Sequence, residues 1–116
     1  MASVDEILVN LPLTETTFFI LLSLRAGPKH GYAIAKDIQA LSNGRVILSV
    51  STLYTTLKRL LDDGWIKLVD TTTQDSNRPR KIYELTPLGG NVLLAEVQRL
   101  GSLVSAARTS GMEGVM

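Results

Sequence analysis

The chain has 116 residues, 45% of them hydrophobic, which suits one folded domain with a single core and excludes a disordered chain. Twelve basic and 11 acidic residues leave a formal net charge of +1, so a nucleic-acid surface could come only from local clustering of bases. Cysteine is absent, which excludes disulfides, thiolate metal sites and cysteine nucleophiles.

The most apolar stretch, Phe18 to Leu24, is far too short to span a bilayer. The first residues lack the charged leader, apolar core and cleavage site of a signal peptide. We therefore expect a soluble, cytoplasmic protein with no membrane contact.

Residues 1–12 carry four aliphatic side chains at helical spacing, which predicts a short amphipathic helix ending at Pro12. Such a helix has little core to join in a small domain, so we interpret it as a dimer contact. Thr14 is a good N-cap for a second helix from Glu15 to Arg25, which is apolar around most of its circumference.

A helix from about His30 to Leu41 follows, and Val46 to Leu48 predicts a minimal strand. The inward side chains of this helix are expected to be Tyr32, Ile34, Ala35, Ile38 and Leu41. The next helix begins from a cap at Ser49 or Ser51 and stops at Gly64. Its core stripe consists of Leu53, Leu57, Leu60 and Leu61. Two alternating strands, over residues 65–71 and 81–85, enclose a polar tip at residues 72–79.

Thr86 and Pro87 have the residue types of a helix N-cap and first turn, and they open a last helix predicted over residues 87–108. Apolar residues recur along it at alternate spacings of four and three, a heptad seam without a partner in so small a domain. We predict that this seam joins two subunits through Leu93, Val97, Leu100, Val104 and Ala107. Residues 109–116 are predicted to be a flexible tail.

These elements predict a mainly α fold with a small β-wing: a winged helix-turn-helix over residues 13–86, then a C-terminal dimerisation helix. The helix that begins near Ser49 carries hydroxyls and bases opposite its leucines, a pattern suited to base edges and phosphates in a major groove. The predicted DNA contacts on it are Ser51, Thr52, Tyr54, Thr55, Lys58 and Arg59. An ordinary solvated polar face is the alternative interpretation.

The predicted hairpin tip supports the DNA interpretation, because Arg78, Arg80 and Lys81 place three bases within four residues, where a wing meets the minor groove or phosphates. Lys29, at the start of the second domain helix, would add a phosphate contact at a helix N-terminus. His30 is the only histidine and is interpreted as a cap or packing residue rather than a metal ligand. Trp65 is interpreted as a core residue, with a ligand pocket as the alternative.

No nucleophile with its base and no phosphate-binding glycine loop is present, so we expect no enzymatic activity, no catalytic residue, no metal and no cofactor. Several segments, in this order, resemble the PadR-type transcriptional regulators. They are Leu13–Thr14, GPKHGYAI (residues 27–34), STLYTTLKRL (51–60), GWI (64–66) and RKIYELTPLG (80–89).

The resemblance covers residues 12–108 and implies a dimeric winged-helix repressor that releases DNA on binding an effector, often a phenolic acid or a drug-like compound. It implies that Tyr54, Lys58 and the neighbouring hydroxyls face the major groove, with residues 78–81 as the wing. One long helix after the wing is similar to the family's short branch. That helix carries no aromatic residue, whereas some members use aromatic side chains there to hold flat ligands.

We therefore expect a homodimeric regulator, a ligand-responsive repressor on pseudo-palindromic double-stranded DNA, with a small aromatic effector as a further partner. The alternatives are a winged helix that contacts protein and a dimer that senses small molecules, neither with a direct DNA role. An apolar or acidic outer face on the helix that begins near Ser49 would favour the protein-contacting winged helix, and quenching of Trp65 fluorescence by planar aromatic compounds would favour the small-molecule sensor.

Overall fold

The computed structural model describes residues 3–69 and 81–112. The elements in chain order are α1 (Val4–Leu8), α2 (Glu15–Arg25), β1 (Lys29–His30), α3 (Gly31–Leu41), α4 (Val50–Asp62), β2 (Ile66–Val69), β3 (Ile82–Leu85) and α5 (Pro87–Thr109). The predicted fold class, mainly helical with a small antiparallel sheet, is confirmed.

Hydroxyl side chains begin three of the helices where the sequence predicts them. The side chains of Thr14, Ser49 and Thr86 each accept a hydrogen bond from the backbone N–H three residues later, at 3.1 to 3.2 Å. Such caps satisfy amide groups that have no partner inside the helix. At the end of α4, Gly64 adopts a φ of 77°, a left-handed conformation that favours glycine and turns the chain into β2.

One core lies between the three helices of the domain, the sheet and the first half of α5. Ile20 and Leu21 of α2, with Ile34 and Ile38 of α3, have no exposed surface. The predicted stripe of α4 closes this core through its buried members Leu53, Leu57 and Leu60. The outer side of α4 is thereby directed away from the protein.

The sheet has three strands in the order β1-β3-β2, so β3 lies in the centre and pairs antiparallel with both neighbours. Strand β1 was not predicted from the sequence. Two residues without a periodic pattern leave no signal, and only pairing with Tyr83 and Ile82 defines Lys29 and His30 as a strand.

Three predictions about the segment from α3 to α4 were wrong. Val46 to Leu48 forms no strand, because Val46 and Leu48 pack against the core and the Val46 N–H donates to Ser42 Oγ at 2.9 Å. Tyr32 is not inward but 68% exposed, since it lies about 200° around the helix from the buried Ile34. Leu41 is also exposed, because the last turn of α3 extends beyond the core.

The start of α5 is hydrogen-bonded to the turn that joins α4 to β2. The Thr86 N–H donates to the Trp65 carbonyl at 3.1 Å, and Thr86 Oγ1 donates to the Gly64 carbonyl at 2.6 Å. Gly89 packs directly against this turn, because a Cβ added to it would come within 2.0 Å of the Trp65 carbonyl oxygen. The α5 helix therefore leaves the domain at a direction set by backbone contacts.

The N-terminal helix does join the fold of its own chain. α1 is shorter than predicted and packs against α5, with Ile7 and Leu11 partly buried against the core. Just after it, the Leu13 N–H donates at 2.7 Å to the carboxylate of Glu96, which is 2% exposed. The expectation that α1 has little core to join was therefore wrong, although Val4 and Leu8 remain exposed.

Candidate nucleic-acid interface

The outward surface of α4 is the first part of the candidate interface. Its exposed residues are Val50, Ser51, Thr52, Tyr54, Thr55, Lys58, Arg59 and Asp62. The buried leucines hold the helix from behind, so these side chains stand on a rigid element. Val50 is 73% exposed and was not among the predicted contacts.

The hydroxyls on α4 differ in how far they are already engaged. Thr52 Oγ1 lies 2.9 Å from the capping Ser49 Oγ, and Thr56 Oγ1 donates back to the Thr52 carbonyl at 2.8 Å. Thr55 makes no side-chain hydrogen bond to any described residue, and Ser51 has only a 3.4 Å contact with Ser49. Ser51 and Thr55 are therefore the hydroxyls best able to contact an external partner.

Tyr54 lies between the outward side of α4 and the start of α3. A Cβ placed on Gly31 would come within 2.6 Å of the Tyr54 hydroxyl oxygen, so glycine permits this close approach. Burial, together with the nearby Tyr54, raises the pKa of Tyr83 on the central strand. Tyr54 is still 45% exposed, so its ring is partly fixed while one side remains open.

The two bases of α4 are not equivalent. Lys58 is exposed and pairs with Asp62 one turn later at 3.1 Å, a surface contact that contributes little and exchanges readily. Arg59 instead donates at 2.5 Å to the hydroxyl of Thr17, a buried residue of α2. Arg59 thus ties α4 to α2, and its predicted DNA contact would require that hydrogen bond to break.

Lys29 is also engaged within the chain. Its Nζ donates to the Ser23 carbonyl and lies 3.3 Å from the Asp37 carboxylate, with the side chain 19% exposed. The sequence predicted a free cation for a phosphate. Here its charge is compensated by Asp37, because β1 directs the side chain toward α2 and α3.

Only part of the predicted wing lies within the described residues. Arg78 and Arg80 lie outside the described residues, as does the predicted tip at residues 72–79. Lys81, the third predicted base, is exposed just before β3. On the neighbouring strands, Lys67 and Glu84 face each other across the ladder with 3.4 Å between Nζ and a carboxylate oxygen.

A second exposed feature, on α3, was not predicted from the sequence. The ammonium of Lys36 lies 5.6 Å from the centre of the Tyr32 ring, a cation–π contact one helical turn long. A helical-wheel comparison of Tyr32 with Ile34 would have revealed its outward position. Its aromatic character led to the core assignment instead.

The predicted dimer seam is partly buried in its own chain. Leu93 is 3% exposed and belongs to the core, and Ala107 is half-buried. Val97, Leu100 and Val104 are 37 to 51% exposed, and Leu94 and Leu103 beside them are exposed as well. An open, largely apolar groove of about 580 Å³ lies beside the N-terminal half of α5. Its lining includes Leu22, Leu85, Leu94 and Val97.

The remaining chemical predictions concern single residues. His30 caps α3, with Nδ1 accepting the Ala33 N–H at 3.4 Å, and Trp65 is buried in the core, so both interpretations are confirmed. Within the described ranges no three His, Asp or Glu side chains are grouped as metal ligands. In the same ranges no helix is long and apolar enough to cross a membrane.

A protein-family model described as the transcriptional regulator PadR-like family matches residues 20–95. The chain belongs to this family. The match covers most of the described domain, from α2 into α5, and confirms the resemblance found in the sequence. PadR-like proteins are transcriptional regulators rather than enzymes, which confirms the prediction that this chain is not an enzyme. No match was found among curated protein sequences.

Solved structures agree with this assignment. A PadR family transcription regulator from Clostridium difficile R20291 is 27% identical, with a TM-score of 0.70 over 83% of this chain and 97% of its own. Bacillus subtilis PadR in complex with operator DNA is 29% identical, with a TM-score of 0.65 over 74% of this chain and 48% of its own. A transcriptional regulator from Clostridium thermocellum, 23% identical, shares the fold over 97% of this chain and all of its own, with a TM-score of 0.67.

Proposed function

We propose that this PadR-like regulator binds double-stranded DNA sequence-specifically and acts as a homodimeric repressor on a pseudo-palindromic operator. The observation that carries the proposal is the outer face of α4, where hydroxyl, methyl and ammonium groups stand exposed on a helix held from behind by buried leucines. A helix presented in this way fits a major groove. The operator complex of the 29% identical Bacillus subtilis PadR supports the same partner.

Within this proposal, Ser51, Tyr54, Thr55 and Lys58 are the contacts of α4 best placed to reach the duplex. Lys81 would contact the flanking backbone, and Arg78 and Arg80 stay predictions from the sequence. Lys29 and Arg59 are assigned to intrachain contacts first, because each already has a partner within the domain.

The first test is selection of bound duplexes from a random pool, followed by affinity measurements at several salt concentrations. An inverted repeat whose half-sites lie about one helical turn, roughly 34 Å, apart would support a dimer with one α4 in each major groove. Failure to retain any duplex even at low salt would refute the DNA role and favour a protein-contacting winged helix.

Lys58→Ala tests the assignment of a phosphate contact. We expect weaker binding and a fall of about one in the slope of log affinity against log salt for each phosphate that is no longer neutralised, because fewer counterions are released. Asp62 should not prevent this interaction, since exposed pairs exchange at little cost. Arg108→Ala, at the far end of α5, is the control, and its slope should match that of the wild type. An unaltered slope for Lys58→Ala would contradict the assignment.

Repression is a separate proposal with its own measurement. If the selected site overlaps a promoter, added protein should lower transcript yield in a purified transcription reaction. A rise in yield would identify an activator, while the DNA-binding role would stand.

The apolar groove beside α5 favours a ligand response as an added function. Its walls are mainly aliphatic, and Arg25 could pair with the carboxylate of a small aromatic acid. Calorimetric titration with a phenolic acid, with and without bound duplex, tests this directly. Trp65 does not line this groove, so its fluorescence would be an indirect reporter. Binding that leaves the affinity for DNA unchanged would argue against an effector.

A further inference from the structure

The N-terminal end of α4 and the segment before it carry two exposed aliphatic side chains. The first turns of this helix lack the long polar side chains that usually hydrogen-bond to the edges of DNA bases. Val50, the first residue of the helix, and Ile47, in the preceding segment, are each 73% exposed. Their neighbours Val46 and Leu48 turn inward to the core, so Ile47 alone of residues 46–48 points outward.

Exposed valine and isoleucine at this position gain favourable free energy when a partner covers them. Leaving such a side chain in water forgoes the favourable free energy of burying it. Val50 is the first residue of α4, directly before Ser51, and Ile47 lies just before the helix. In helix-turn-helix proteins the N-terminal residues of the recognition helix contact base edges.

The side chains that usually distinguish bases by paired hydrogen bonds are absent from this part of the helix. α4 contains no asparagine or glutamine, and its one arginine, Arg59, is bonded to Thr17. Its one lysine, Lys58, lies about two turns beyond Val50, pairs with Asp62 and is assigned to a phosphate. Guanine is most often read by arginine or lysine, and adenine by asparagine or glutamine. Thymine differs because it presents a methyl group in the major groove, which aliphatic side chains can contact.

We propose that Val50, together with Ile47, reads the 5-methyl group of at least one thymine in each operator half-site. The inference rests on the proposed DNA-binding function and deepens it. Ser51 and Thr55 would add hydrogen bonds beside the methyl contact, so specificity would come from apolar fit and single hydroxyls rather than from bidentate pairs.

The test replaces thymines by deoxyuridine one at a time in a selected duplex, at a fixed salt concentration. Deoxyuridine removes only the methyl group and keeps every base-pair hydrogen bond. We expect at least one position in each half-site where the affinity falls about fourfold, the scale of one methyl or methylene group returned to water. If no position responds, or if the selected half-sites contain no thymine, the inference is overturned while the DNA-binding function stands.

A double-mutant cycle identifies the reading residue. Val50→Ala and Ile47→Ala should weaken binding to the thymine duplex. For at least one of these variants, replacing thymine by deoxyuridine should cost much less affinity than it costs the wild type; we call that cost the deoxyuridine penalty. Val9→Ala, a valine 80% exposed at the end of α1, is the matched control and should keep the full penalty. If both test variants also keep the full penalty, another residue contacts the methyl group and the assignment fails.

Circular dichroism and thermal melting would establish that each variant folds. Val50→Thr offers a further check, because it retains the β-branched shape and one of the two methyl groups. It should show a penalty between those of the wild type and Val50→Ala. No binding to any duplex by the wild-type protein would instead refute the proposed function itself.

Discussion

At the scale of single residues, Glu96 is the most unusual feature of the chain. It is a carboxylate of α5 that is only 2% exposed, and it accepts hydrogen bonds from Arg99 Nε at 2.5 Å and from the Leu13 N–H. The Arg99 guanidinium is the main reason that the pKa of Glu96 lies below its ordinary value, against the opposing effect of burial. Glu96 therefore joins the start of the domain to the middle of α5.

Substitution of Glu96 should reveal the strength of this link. Glu96→Gln keeps an acceptor for the Leu13 N–H but loses the charged pair, so we expect a loss of about 1.5–3 kcal/mol in the free energy of unfolding. Glu96→Ala should cost more, because the Leu13 N–H then has no acceptor. Denaturant unfolding measures both. Glu15→Gln breaks a solvent-exposed pair with Arg45 and should have a much smaller effect. Equal effects for Glu15 and Glu96 would contradict this account.

The same residue should confer a pH dependence of defined sign. Because the pKa of Glu96 is lower in the folded chain, its contribution is fully present above the ordinary value of 4.5 and is lost as pH falls through the folded pKa. We expect the stability difference between wild type and Glu96→Gln to shrink as the pH falls below about 4.5. If this difference in stability stayed constant down to the lowest pH at which both proteins fold, the charge of Glu96 would contribute nothing to stability.

At the scale of elements, close backbone contacts decide how α5 leaves the sheet. Gly89 has no room for a methyl group, because the Trp65 carbonyl oxygen lies 2.0 Å from where a Cβ would stand. Gly101, two-thirds of the way along the same helix, has nothing within 4 Å of that position. The two glycines thus serve different purposes, although the sequence around them looks equally helical.

Alanine at these two positions should change stability in opposite directions. Gly89→Ala must push α5 away from Trp65, at a cost of about 1–3 kcal/mol or more. Gly101→Ala meets no neighbour within its own chain and should stabilise the helix of the single subunit by about 0.5–1 kcal/mol, the usual advantage of alanine over glycine. Thermal melting of both variants is the measurement. If Gly89→Ala left the stability unchanged, the packing of α5 against the turn between α4 and β2 would be looser than its contacts indicate.

At the scale of the whole molecule, the exposed half of α5 is the surface in most need of a partner. The molecule measures 58 × 35 × 22 Å, and aliphatic side chains from Leu94 to Val104 remain in contact with solvent. Exposed large apolar patches of this kind commonly mark interfaces. Val4 and Leu8 of α1, which packs on the same helix, add to the exposed apolar surface.

The proposed homodimer predicts a clear result from charge substitutions. Val97→Asp or Leu100→Asp should give monomers in sedimentation velocity, because a charge would have to be buried without a partner. Gln98→Asp, exposed on the same turn of α5, introduces the same charge and should leave the oligomeric state unchanged. Intact dimers for both Val97→Asp and Leu100→Asp would refute the α5 interface.

Local features determined much of the fold from the sequence alone. The hydroxyl caps at Thr14, Ser49 and Thr86, the leucine stripe of α4 and the stop at Gly64 act within a few residues of chain, so their patterns predicted element type and boundaries correctly. The outward hydroxyl face of α4 followed from the same periodicity. Family membership was also readable, because it rests on motifs in linear order.

Tertiary structure decided which residues are free to act. Lys29 and Arg59 look like free cations in the sequence, but Asp37 of α3 and Thr17 of α2 engage them once the elements pack together. Strand β1 exists only through its pairing with β3, and Glu96 is buried only because the segment before α2 crosses α5. Periodicity reports which side of an element is apolar, whereas contacts between distant segments depend on how the elements pack together.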